Sequence, residues 1–285
     1  MPFVPASAMG FDRSATRKGE AIYDDLKEKL RVSALVHADE TSWRQDGINH
    51  HLWYAGNNDL GFYHIDRHRS SNVAVSILGN DFRGILNTDG YAAYNAVNAK
   101  ERQTCLAHII RKAKEIKQEI LLQKPQYHDK HSIQFCDNIS ELFKNVCEIG
   151  QKTNNNVTRK NSRLIKRLYL KLGKICKEPL KVNKAETLRL RLLDPKKEYN
   201  RLFTFLKYPG VQPTNNQAEQ SLRSMVIFRK ICFQTRSDEG SHSHSVLPSL
   251  LVTAKRQGKH PLSFLSTLFT EDTAVAQAAL YNDSS

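Results

Sequence analysis

Cysteine is scarce in this chain. The five present, Cys105, Cys136, Cys147, Cys176 and Cys232, form an odd set with no C-x-x-C pair. That argues against a disulfide framework and fits a reducing compartment. Also missing is any apolar run near the roughly 20 residues that a membrane helix requires. The opening residues, MPFVPASAMGFDR, lack the basic start and apolar stretch of a secretory signal. The expectation is a protein of the cytoplasm with no membrane partner. Acidic residues are few beside basic ones, 29 against 43, for a formal net charge of +14. What is present is ordinary for a globular protein: 285 residues with 40% hydrophobic and 25% charged side chains, enough for a real core.

The positive charge is concentrated. Between Gln151 and Lys207 there are 17 Lys/Arg and four acids (Glu178, Glu186, Asp194, Glu198), whereas the rest of the chain holds 26 basic and 25 acidic residues. A polyanion such as DNA is the natural partner of such a segment, because neutralising phosphates releases counterions. A solvated basic helical face is the alternative, and charge does not decide between them.

Periodicity gives the order of elements. Met1 to Arg13 reads as a flexible leader, and Ala21, Ile22, Leu26 and Leu30 recur at helical spacing from about Thr16 to Val32. SALVHADET reads as a buried strand ending at Asp39. INHHLWYAG and LGFYHID, separated by Asn57-Asn58-Asp59, read as a hairpin. A helix is expected over Ser71 to Leu78, a strand over Gly84 to Thr88 ending at Asp89-Gly90, a short helix over Tyr91 to Val97, and a strand over Arg102 to Leu106. Thereafter the pattern is helical. One stripe runs from Leu106 to Ile120 and another from Ile139 to Ile149. Past the polar break QKTNNNVT come two long basic helices, Arg159 to Lys177 and Lys184 to Phe205. Asn215-Asn216 can cap a helix running through Glu219 to about Phe228. Further helices are expected over Ser245 to Gln257 and after Pro261. This order predicts an α/β fold, a mixed sheet with flanking helices interrupted by a large helical insertion. The expected divisions are 1–33, a leader and N-terminal helix; 34–125, the first part of the core; 126–208, the basic insertion; and 209–285, the second part of the core.

Three carboxylates stand out. Asp39 and Asp89 fall at predicted strand ends, where sites collect in open α/β sheets. Glu219 borders the apolar stripe of Leu222 and Val226, so it faces the protein body. Such oxygen donors suit Mg²⁺ or Mn²⁺, and two ions could serve an in-line phosphoryl transfer. Taken singly, each also has a plain structural role: a turn residue for either Asp, and an i,i+4 partner of Arg223 for Glu219. Cys105 and His108 make a C-x2-H step, but no second pair at zinc spacing follows, so they read as buried residues at a helix start.

The motifs carry a resemblance. HADETSW (His37 to Trp43) resembles the first catalytic motif of the insertion sequence 66 family of bacterial transposases. NTDGYAAYN (Asn87 to Asn95), followed by QTCLAHIIRK, resembles their second motif and C-x2-H element. PTNNQAEQSLRSMVIFRKI (Pro213 to Ile231) resembles their NNxAExxLRxxVIxRK signature, and TRSDEGS their GxRSxxG continuation, with Gln234 in place of the first glycine. The resemblance covers about Arg31 to Leu265.

It implies a ribonuclease H-like DDE fold with Asp39, Asp89 and Glu219 as the metal-binding triad, spaced by 50 and 130 residues with the insertion in the longer gap. It implies two Mg²⁺ or Mn²⁺ ions, DNA cleavage at transposon ends and strand transfer to target DNA. Asn215, Asn216, Arg223, Arg229 and Lys230 match positions whose chemistry suits phosphate contacts, and Arg163, Lys166, Arg167, Lys171 and Lys174 of the insertion would grip the backbone. A homo-oligomer on DNA is expected, with other proteins of the same element as further partners and the bacterial nucleoid as the place of action. Family members usually carry long N-terminal regions, and only 38 residues precede Asp39 here. The expectation is a truncated copy or one module of a split product. Two rival classes are a structure-selective nuclease on the same fold and an inactive DNA-binding remnant or regulator.

Overall fold

The computed structural model describes residues 5–152 and 159–281. Residues Thr153 to Thr158 of the expected polar break lie outside the described residues, as do Met1 to Val4 of the expected leader. The chain divides into two compact units, one of Met1–Gly84, Ala92–Ala99 and Asn216–Ser285, the other of Ile85–Tyr91 and Lys100–Asn215.

The strands are β1 (Leu35–Gln45), β2 (Ile48–Gly56), β3 (Gly61–Asp66), β4 (Asp81–Thr88) and β5 (Asn98–Thr104), in one sheet of order β3-β2-β1-β4-β5. With helices flanking this mixed sheet, the fold is α/β and compatible with a ribonuclease H-like architecture. The β1–β2 pair is antiparallel with Gln45 opposite Ile48, leaving Asp46-Gly47 as a two-residue loop. Both loop residues have positive φ, 46° and 76°, the backbone that matches strand twist and that Asp-Gly supplies at low cost. This turn corrects the expected end of the first strand: β1 continues six residues past Asp39, which therefore lies mid-strand. The β2–β3 hairpin is as expected, with Asn57 Oδ1 accepting the Asp59 and Leu60 N–H groups at 2.9 and 2.8 Å.

In the first unit, α1 (Pro5–Arg31) starts well before Thr16, so the expected flexible leader is helical from Pro5. Proline is well suited to a first helical turn. The added turns find partners: the Phe11 ring packs, tilted, against Phe269 with centroids 4.4 Å apart, and Arg13 pairs with Glu239 at 2.9 Å. Ala15, Ile22, Leu26 and Leu30 form the buried stripe. α2 spans Ser71–Leu78, as expected.

In the second unit, α3 (Leu106–Leu121), α4 (Lys130–Lys152) and α5 (Arg159–Ile175) follow the predicted stripes. The expected long helix Lys184 to Phe205 is broken. α6 covers only Asn183–Leu193 and is followed by short 3₁₀ turns, Tyr199–Arg201 and Thr204–Leu206. Pro195 explains the stop, because it disfavours helical backbone at Asp194 before it, and Asp194 has ψ 114°.

The first unit closes with α7 (Asn216–Cys232), α8 (Asp238–Arg256), α9 (Pro261–Thr270) and α10 (Thr273–Leu280). α8 begins seven residues before the expected Ser245 because Ser237 caps it, its side chain accepting the Gly240 N–H at 3.1 Å. α7 packs Ala218, Leu222 and Met225 against Trp43, Leu52, Tyr54, Tyr63 and Ile65 of the sheet. At the sheet edge, α8 lays a ladder of hydroxyls on β3. Ser245, Ser249 and Thr253, one turn apart, accept the N–H groups of Ile65, Tyr63 and Gly61 at 2.9, 2.8 and 3.1 Å. An edge strand that would otherwise expose unpaired donors is thus satisfied from within the unit.

Candidate active site

In the first unit the site is built on β1 and α7. Side chains alternate along a strand, so Asp39, Thr41 and Trp43 share one face, and Trp43 belongs to the cluster that α7 covers. Asp39 sits opposite Tyr54 of the same cluster. Glu219 lies in the first turn of α7, between Ala218 and the buried Leu222, where a carboxylate also meets the positive end of the helix dipole. Asp39 and Glu219 are both half-buried and belong to the same side of the sheet. Arg229, farther along α7, ties the helix to β1: its Nη1 donates to Thr41 Oγ1 at 3.4 Å, to Ser42 Oγ at 2.9 Å and to the Ser42 carbonyl.

Glu40, next to Asp39, turns the other way. Its side chain is 1% exposed, accepts from Arg69 Nη2 at 2.6 Å and Nε at 3.1 Å, and accepts from Tyr94 Oη at 2.8 Å. Residue spacing does not reveal this buried ion pair. Its one signal in the sequence is that Tyr94 belongs to the same DGYAAYN motif as Asp89.

In the second unit, Asp89 follows β4 directly and accepts the Tyr91 N–H on Oδ1 at 2.8 Å. Gly90 has φ +86°, and a Cβ there would approach Arg191 Nη2 at 2.6 Å and Glu198 Oε1 at 2.8 Å. Only glycine suits that turn. The preceding Asn87 is fully buried, and its Nδ2 donates to the carbonyls of Gln212 and Thr214 at 3.0 and 3.1 Å. Cys105 is a buried helix-start residue as expected. Its Sγ accepts the Asn215 N–H at 3.1 Å, and the Leu106 N–H reaches the Pro213 carbonyl at 2.9 Å. Asn87 and the Cys105 turn therefore anchor the Gln212–Asn215 segment.

The expected DNA contacts divide. Asn215 is fully buried, which removes its side chain from any surface a phosphate could reach. Asn216, Arg223 and Lys230 are exposed, and Arg229 is half-buried on β1. At about 100° per residue, Asn216, Glu219, Arg223 and Lys230 fall along one strip of α7, off the buried stripe. Arg163, Lys166, Arg167, Lys171 and Lys174 are all exposed. They span an arc of about 140° on α5, opposite the buried Leu168 and Leu172.

Burial pushes the thiols of Cys136 and Cys147 up to about 11 and that of Cys176 to about 12, far from the range of a reactive thiolate. Glu186 is drawn down to about 2 by its hydrogen bond from Arg189, a structural pair within α6. No helix among the described residues is long and apolar enough to cross a membrane.

The chain belongs to the transposase IS66 family, whose profile matches residues 10–243. No curated protein matches the sequence. Family membership supports a transposase role in general, and the family implies action on DNA and use of a divalent metal.

Proposed function

We propose that this protein cleaves DNA at the ends of an insertion sequence and joins the freed 3′-OH to target DNA, with Asp39, Asp89 and Glu219 holding Mg²⁺ or Mn²⁺. The observation that carries the reading is that Asp39 and Glu219, 180 residues apart, belong to the same side of the sheet, on β1 and α7. The likeness of the NTDGYAAYN motif to the family's second motif supports adding Asp89. The donor set fits the ion: three carboxylates suit a hard, oxygen-seeking cation. Two bound ions would supply activation of the attacking oxygen and charge neutralisation at the leaving one.

The chain's own residues do the rest. Asp39 is fixed within a paired strand, and Asp89 by the Gly90 turn and its hydrogen bond from Tyr91. Asn216, Arg223 and Lys230 line up a DNA backbone along α7, leading away from Glu219. The basic face of α5 holds phosphates without reading sequence. The protein acts as a homo-oligomer on DNA, alongside other proteins of its element, at the bacterial nucleoid.

Asp39→Asn and Glu40→Gln, adjacent and equally conservative, test this. Asp39→Asn should reduce Mg²⁺-dependent nicking, and joining of pre-cut ends, by about a hundredfold or more, beyond what indirect ligands usually contribute. Its DNA affinity and melting temperature should stay at the parental level. Glu40→Gln should instead lower the melting temperature, because it loosens a buried ion pair. Parental nicking by Asp39→Asn rejects the metal assignment. Nicking without joining by the parent protein points to the nuclease instead.

A further inference from the structure

The cavity beside Asp89 holds a carboxylate that the mechanism above does not use. It has a volume of about 180 Å³ and is lined by Asp89, His108, Lys112, Arg191 and Glu198. Glu198 is only 3% exposed, although it stands in the most basic stretch of the chain. Its Oε1 accepts from Arg191 Nε at 2.8 Å, and Arg191 Nη2 donates to the Gly90 carbonyl at 2.8 Å. Through Arg191, Glu198 is therefore bound to the turn that carries Asp89. Its other oxygen, Oε2, is buried and has no hydrogen-bond donor among the described residues.

A buried carboxylate oxygen left without a donor is costly, so it calls for one from a ligand. Lys112 lines the same cavity but pairs with Glu115 at 3.5 Å. Among ligands, a hydrated divalent cation fits this position best. Mg²⁺ and its analogues keep several waters when bound through one or two carboxylates, and such waters are strong donors to a neighbouring acid.

We propose that Glu198 is an additional acidic group of the metal site at Asp89. It accepts a hydrogen bond from a water on the ion, and Arg191 holds it in place. Glu198 is thus a positioning residue supplied by the helical insertion. The inference rests on the reading of Asp89 as a metal ligand.

Mn²⁺ binding to the full chain, measured by loss of the free-ion electron paramagnetic resonance signal, tests it apart from activity. Asp89→Asn should abolish the binding. Glu198→Gln should raise the Mn²⁺ Kd about tenfold, in the range for residues that act through a metal's bound ligands. The Mn²⁺ concentration for half-maximal nicking should rise in parallel, with the rate restored at saturating metal. A parental Kd for Glu198→Gln, with Asp89→Asn inactive in binding, overturns the Glu198 proposal and leaves the triad intact. Parental binding by Asp89→Asn rejects the underlying assignment, and this proposal with it. If Glu198→Gln does not fold, Arg191→Met/Glu198→Gln removes the pair without stranding a charge, and a parental Kd there is equally decisive.

Discussion

Asp39 and Glu40 are chemical near-equals one position apart, and strand geometry alone gives them different work. The pleat sends Glu40 to a buried site where Arg69 and Tyr94 occupy both its oxygens, and sends Asp39 to the face that α7 covers. Similar local effects govern the histidines. His64 on β3 is held below its ordinary 6.5, first by burial, with Lys27 and His242 adding to the effect and Asp66 opposing it. His244 is lowered by burial too, against the pull of Asp12, between the rings of Trp43 and Phe228. Both groups therefore bind protons more weakly folded than unfolded. As pH falls through 6.5, the unfolded chain takes up protons first, so stability is full above that pH and declines below it. Urea midpoints should drop between pH 7.5 and 5.5, and His64→Gln/His244→Gln should flatten that dependence. An unchanged pH slope in the double variant would show that other groups govern it. Motif residues were legible in the sequence because their spacing and order are distinctive. Glu198 was not: in the linear chain it is one of four acids among many cations, and only the fold sets it against Gly90.

At the scale of elements, much of the sheet follows from local rules. The Asp46-Gly47 hairpin was available from the Asp-Gly pair itself, and the break after α6 from Asp194-Pro195. What no local rule supplies is the hydroxyl ladder of α8. Ser245, Ser249 and Thr253 are visible at helical spacing, but their partners on β3 lie 180 or more residues away. Ser249 is fully buried, so Ser249→Ala leaves the Tyr63 N–H without its acceptor. The expected cost is about 1–3 kcal/mol, the penalty for a stranded buried donor, against a few tenths for an exposed serine. Equilibrium urea unfolding with an unchanged m-value would measure it. A loss below about 0.5 kcal/mol would mean that the edge of β3 is satisfied some other way.

Across the whole molecule the decisive feature is where the charge lies. The excess of cations falls almost wholly between Gln151 and Lys207. Several of them are consumed by structure: Arg189 pairs with Glu186, Arg191 with Glu198, and Lys184 with Glu119 at 2.6 Å. The face of α5 that carries Arg163, Lys166, Arg167, Lys171 and Lys174 is exposed throughout, and it is the face proposed above to hold phosphates. Neutralising Lys166, Arg167 and Lys171 to Gln should weaken DNA binding uniformly across sequences, since phosphate contacts carry no base information. The slope of log K against log salt should become shallower by about 0.9 for each duplex phosphate no longer neutralised, so by up to about 2.7 for the triple variant. Turnover at saturating DNA should persist, because none of the three is among the carboxylates assigned to the metal. Filter binding at several salt concentrations, run beside a Mg²⁺-dependent nicking assay, separates the two effects. An unchanged salt slope would mark this face as merely solvated, and the DNA would then have to be held chiefly along α7.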